Sequence, residues 1–300
     1  MYLLLDTDIG DDIDDFLTIG LILKKELNLV GVTTVYREAN ARASIVKNFF
    51  EYVGRNDIPV YAGYSQPISA QSRKLGKLNY GTGVNTEIEY NQPEDAVDFI
   101  IESVKRYGKE LTLLAIGAQT NIAKAYQKAP EIMAQIGKVV IMGAAFFIHN
   151  DEWNIACDPM AAKIVSESDM PITYVAWDVT RLISIGSDNN EYILNNTFDK
   201  IGERVAENIR EWFKNSKYDP LLHDPAALYY CLTPERFTER KIRAKFIAEG
   251  ELAGLTLNLD TFTGLVENKN EWPLINVVVG AKSDEIVQDF MNTLFNKRLV

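Results

Sequence analysis

Short apolar runs alternate with amphipathic stretches through the first 176 residues of the chain. Residues 2–5, 29–35, 59–62, 111–116, 139–142 and 172–176 are short, mostly apolar and rich in branched side chains, which reads as strands. Between most of them, residues 16–25, 43–53, 96–107 and 160–167 place apolar positions at helical spacing. This alternation predicts an α/β fold built on a mainly parallel, Rossmann-like sheet with helices on both faces. Ligands of such sheets bind beyond the carboxyl ends of the strands, which draws attention to the loop after residues 2–5. The C-terminal part is less regular. Residues 241–248, 252–257 and 274–279 read as strands and 284–295 as a closing helix, giving a small antiparallel C-terminal extension. Residues 66–92 hold three glycines and little apolar periodicity, and read as a long loop of the kind that is often functional.

No break in composition marks a linker, so residues 1–300 are expected to form one domain. A net charge of -11, with no basic stripe interleaved with aromatics, argues against a nucleic-acid partner. Cys157 and Cys231 lie far apart, which suggests neither a disulfide framework nor a thiolate zinc cage. The N-terminus lacks a basic leader, and no run approaches the ~18 apolar residues of a membrane span, so a cytoplasmic protein without membrane contact is expected.

The segment after the first strand changes the picture. Asp6, Asp8, Asp11, Asp12, Asp14 and Asp15 place six carboxylates in ten residues between an apolar strand and an apolar helix. Such a group repels itself in a crevice unless a cation joins it. An all-oxygen set suits Ca²⁺, whereas zinc usually brings His or Cys. The competing reading is that some of these acids only cap the helix near Phe16. An EF-hand is excluded, because counting from Asp6 puts Gly10 at the fifth position and Leu17 at the twelfth. Strand-Asp-x-Asp also opens haloacid-dehalogenase-like phosphatases, with Asp6 as nucleophile and Asp8 as acid. Gly10 stands where that pattern has Thr or Val.

The opening Asp6-x-Asp8-x-Gly10, followed by paired aspartates at a helix start, resembles that of the inosine-uridine nucleoside hydrolases. The likeness continues in order through residues 31–35 (GVTTV), 57–63 (DIPVYAG), 111–123 (LTLLAIGAQTNIA), 139–143 (VVIMG), 152–159 (EWNIACDP) and His223-Asp224-Pro225. The resemblance implies a Ca²⁺-dependent hydrolase that splits ribonucleosides into ribose and free base in purine or pyrimidine salvage, as a homodimer or homotetramer. It implies Asp8 as metal ligand and general base, Asp224 as a ligand, the Ile116 carbonyl as another, and Glu152 and Asn154 as partners of the ribose hydroxyls. The acid loop is two residues longer than the shorter family form. The bidentate ligand is therefore Asp15 or Asp12, with Asp15 preferred at the helix entrance and Asp12 or Asp14 left to meet the ribose. Three other positions depart from the family: Arg37-Glu38 replaces Gly-Asn, Tyr80-Gly81 replaces His-Gly, and the loop between Gly143 and Glu152 is shortened.

Hydrolysis of an N-glycoside needs an activated water and help for the leaving base. Asp8 suits the first demand. For the second, the chain offers only His149 and His223, and the latter can either protonate a base or orient Asp224. Trp212 and Tyr218 can stack on a base, although ordinary packing explains them, and Trp153, equally well. Two other readings stay open: the phosphohydrolase named above, and a catalytically silent ribose- or nucleoside-binding protein.

Overall fold

A computed structural model describes residues 1–73, 90–148, 150–186, 189–196, 199–261 and 271–296. In chain order it runs β1 (Tyr2–Thr7), α1 (Asp14–Lys24), β2 (Leu29–Thr34), α2 (Ala39–Val53), β3 (Val60–Ala62), α3 (Pro93–Tyr107), β4 (Leu111–Ala115), α4 (Thr120–Lys128), α5 (Pro130–Met133), β5 (Lys138–Met142), α6 (Trp153–Cys157), α7 (Pro159–Ser166) and β6 (Ile172–Val175). It continues through α8 (Trp177–Thr180), α9 (Asn190–Asn195), α10 (Lys200–Asn215), α11 (His223–Leu232), β7 (Phe237–Phe246), β8 (Thr256–Asn258), β9 (Leu274–Ala281) and α12 (Ser283–Phe295).

The strands form a nine-stranded sheet in the order β3-β2-β1-β4-β5-β6-β9-β7-β8. The pairs from β3 through β9 are parallel, and β7 and β8 add antiparallel pairs at the far edge. The expected α/β class is thus present, with one change: β9 joins the parallel sheet beside β6, so only β7 and β8 make the antiparallel extension. The strand expected over 252–257 is reduced to β8, because Gly250 and Gly254 take positive φ and turn the chain there.

Side-chain alternation distributes the core to both faces of the sheet. Leu3 and Leu5 of β1 join α1, α2, α10, α11 and α12 on one side, while Leu4 joins α3, α4 and α7 on the other. Burial on both faces explains why the central strands read as continuous apolar runs. Several boundaries differ from the sequence reading. β1 extends to Thr7, so Asp6 is a strand residue, and α1 begins at Asp14. The motif after β4 opens helix α4, and α8 to α11 fill a stretch to which the sequence reading assigned no elements. Residues 74–89 of the expected long loop, with Tyr80-Gly81, and His149 lie outside the described residues. Among the described residues, no helix is long and apolar enough to cross a membrane.

Candidate active site

The chain leaves β1 toward β2 on one side, while β4 lies on its other side. This is the topological switch point, where the carboxyl ends of adjacent parallel strands open a crevice. The acid loop follows β1 there and Ile116 follows β4. Together they line a cavity of about 340 Å³ with Arg73, Met142, Asn150 to Asn154, Trp177, His223 and Asp224. That volume lies within the roughly 300–1,000 Å³ of small-ligand sites.

The loop is held from beneath by Arg42 of α2, which is buried. Its Nη1 donates to the carbonyls of Asp8 and Ile9, its Nε to the Tyr36 carbonyl at 3.0 Å, and its Nη2 pairs with Asp11 at 3.0 Å. Gly10, at φ +119°, supplies a turn that L side chains rarely adopt. Tyr36 and Arg37 also sit at positive φ, and Arg37 stands where the resembled family has the glycine of Gly-Asn. Their N–H groups are fixed by the carbonyls of Tyr64 and Ser65. Arg37 and Glu38 line a neighbouring groove and not the acid-lined cavity.

Two helix N-termini deliver the remaining carboxylates. Asp14 and Asp15 occupy the first turn of α1, and no side chain caps that helix; Asp224 occupies the first turn of α11. One oxygen from each of these three buried residues falls within 4.8 Å of the others. The Asp224 N–H donates to Asp14 Oδ2 at 3.3 Å, and the Thr7 hydroxyl donates to Asp15 Oδ1. Asp8 lines the same cavity but stands outside this trio. Asp12, half-buried, accepts from the Ile13 N–H. Burial pushes Asp8 up to about 7, partly opposed by Arg42. Burial, then the charges of their neighbours, hold Asp14, Asp15 and Asp224 well above the ordinary carboxylate range. A hard divalent cation fits this all-oxygen set, because its charge would favour the ionised form that burial and mutual repulsion oppose.

The opposite wall is ordered by Glu152. Its carboxylate accepts from the N–H groups of Asn154, Ile155 and Ala144 at 3.0 to 3.1 Å, capping α6 and fixing the turn after β5. Asn154 Nδ2 donates to the Ile116 and Met142 carbonyls at 3.2 and 3.1 Å, which leaves its Oδ1 as the free acceptor. His223 Nδ1 meets the Thr180 hydroxyl at 2.8 Å, and burial lowers its pKa to about 4, so the ring is neutral at neutral pH.

Other motif residues are structural. Asn121 donates to Asp6 at 2.8 Å and to the Thr34 carbonyl at 3.1 Å, tying α4 to β1 and β2. Asp6 is fully buried against Thr33 and Asn121 and does not line the cavity, which removes the nucleophile required by the phosphatase reading. Trp212 and Tyr218 also lie away from it; Trp212 Nε1 donates to the Tyr218 carbonyl at 2.7 Å. The aromatic walls are Trp153 and Trp177. Trp177 and Arg73 went unnoticed in the sequence. Position just past a strand end could have flagged Trp177, and nothing local flags Arg73.

Residues 3–288 match the family model described as inosine-uridine preferring nucleoside hydrolase. Uridine nucleosidase 1 of Arabidopsis thaliana is 29% identical over 85% of this chain and 81% of its own length. The pyrimidine-specific ribonucleoside hydrolase RihA of Citrobacter koseri is 29% identical over 78% and 80%. Among solved structures, the purine-preferring ribonucleoside hydrolase from Gardnerella vaginalis superposes with a TM-score of 0.80 at 27% identity, covering 99% of this chain and 98% of that one.

Proposed function

This chain belongs to the inosine-uridine preferring nucleoside hydrolase family and is an N-glycosyl hydrolase, and from that premise we propose that it cleaves ribonucleosides with Ca²⁺ bound in the acid-lined cavity. The observation that carries the reading is the convergence of Asp14, Asp15 and Asp224 at the switch point. Asp8, Asp15, Asp224 and the Ile116 carbonyl would hold the ion, with Asp14 beside them. When bound, such an ion lowers the pKa of water and holds a ribose diol. Asp8, kept ionised by the cation's charge, would be placed to accept the proton of the attacking water. Asn154 Oδ1 accepts from a ribose hydroxyl, and Glu152 spends most of its capacity on three main-chain N–H groups that keep Asn154 in place. Asp12 and Asp14 are the further candidates for ribose contact. Trp153 and Trp177 offer apolar faces to the base. In the tautomer whose Nδ1 accepts from the Thr180 hydroxyl, the neutral His223 ring would carry its hydrogen at Nε2 and could donate it as a hydrogen bond to the leaving base.

The test is reducing-sugar release from purified protein with uridine, cytidine, inosine, adenosine and guanosine. Uridine heads the panel because two relatives are named for uridine or pyrimidine nucleosides. Release is expected from at least one, to be lost on chelation and restored by Ca²⁺. Silence on every nucleoside would overturn the activity, and indifference to chelation would overturn the metal. The homodimer or homotetramer implied by the resemblance is tested by light scattering on the purified protein.

Gly117 supplies a further check. A Cβ there would lie 2.8 Å from the Asp8 nitrogen and 3.0 Å from its Cγ. Gly117→Ala is therefore expected to destabilise the fold by about 1–3 kcal/mol and to lower kcat by displacing the Asp8 carboxylate. Thermal melting and steady-state kinetics read the two effects; no change in either would show that this contact does not position Asp8.

A further inference from the structure

Arg73 is the only lysine or arginine among the described residues lining the acidic cavity. Its main chain is fixed at both polar atoms: the N–H donates to the Ala156 carbonyl at 2.8 Å, and the carbonyl accepts from the buried Tyr36 hydroxyl. Its guanidinium is fixed as well. Nη2 pairs with Asp151, and the group lies 4.8 Å from the centroid of the Trp153 ring, another wall of the cavity. The segment leading to it hangs on the fully buried Asp158, whose carboxylate accepts from the N–H groups of Ile68 and Ser69 at 2.8 and 3.0 Å and from Thr120 Oγ1 at 2.7 Å.

The ion pair with Asp151 is partly exposed and adds little stability, so the clamps set the direction of the guanidinium more than they stabilise the fold. The fork has five N–H donors, and Asp151 is met through Nη2 alone, which leaves Nε and Nη1 without an acceptor among the described residues. A phosphate would be repelled by the carboxylates around the cavity, whereas a neutral oxygen would not.

Resting on the ribonucleoside hydrolase reading, we propose that Arg73 is a specificity-determining residue that donates a hydrogen bond to a neutral oxygen of the substrate outside the ribose diol. Two sources carry that chemistry: the far-edge carbonyl of the base, or the 5′-oxygen of the ribose. Arg73→Ala and Arg73→Lys are compared with wild type on pairs differing by one oxygen. Inosine against purine riboside and uridine against 4-deoxyuridine report the base edge, and uridine against 5′-deoxyuridine reports the ribose oxygen. Where wild type binds a nucleoside without hydrolysing it, calorimetric Kd replaces kcat/KM, so failure of the hydrolase reading is seen separately from failure of this one.

Arg73→Ala is expected to lose roughly 10- to 100-fold on the oxygen-bearing member of one pair, the loss typical of a hydrogen bond to a charged group, with less than twofold change on its partner. Arg73→Lys is expected to recover part of the discrimination. A uniform loss across both members of every pair, with or without a lowered Tm, would assign Arg73 a purely structural role and overturn the proposal, as would no change at all.

Discussion

Asp8→Asn is expected to lower kcat by roughly 10²- to 10⁴-fold, the range for removing a positioned general base. The substitution preserves shape, so the packing against Gly117 survives, and the loop remains held because Arg42 grips main-chain carbonyls and not the Asp8 side chain. What is lost is the ability to accept a proton. Reducing-sugar kinetics read the rate, and elemental analysis of the same sample reads the ion. A low kcat with Ca²⁺ still bound would separate the base from the ligand role, and an undiminished kcat would sink the base assignment.

Asp224→Ala and Asp15→Asn are expected to abolish both Ca²⁺ retention and turnover, whereas Asp12→Asn should retain the ion and raise KM or lower kcat. The distinction follows from placement: Asp15 and Asp224 sit in first helical turns within the buried trio, and Asp12 precedes it in the loop. Preferential loss of Ca²⁺ in Asp12→Asn would reverse the choice between Asp12 and Asp15. Stability supplies a second reading with opposite signs. Removing one of three mutually repelling carboxylates should raise the melting temperature of ion-free Asp224→Ala above that of ion-free wild type, while the Ca²⁺-loaded comparison goes the other way. The pH dependence has a definite sign as well. These acids have raised pKa values in the fold, so the ion-free native state binds more protons than the unfolded chain, and its stability falls as pH rises from about 4 toward the raised values.

Much of the site was legible because its chemistry is concentrated. Six aspartates packed between an apolar strand and an apolar helix read as a cation site, and the carboxyl-end rule points to the crevice that five of them line. Strand positions were readable for the same reason that they are buried on both faces. Helices α10 and α11 were harder. The former is strongly amphipathic, a periodic signal that the reading of the sequence passed over, whereas the latter is apolar nearly all round and offers little contrast. Roles were less legible than places. Asn121 and Asp158 lie in the motifs that carry the resemblance and prove to be braces, because only the fold shows which groups their polar atoms must satisfy. Arg73 escaped notice because the segment that brings it to the cavity hangs on Asp158, far along the chain.

Asp14 and Asp224 meet across 210 positions of sequence, so the acidic crevice is closed by a helix made late in synthesis. At roughly 5–20 residues per second, the nascent chain carries its aspartates for on the order of 10–40 s before α11 exists. Throughout that interval the crevice is an open cluster of like charges without its last wall. Capture of an ion by the three converging carboxylates would therefore need a chain that has grown past Asp224, since one interrupted earlier keeps Asp14 and Asp15 and lacks their partner.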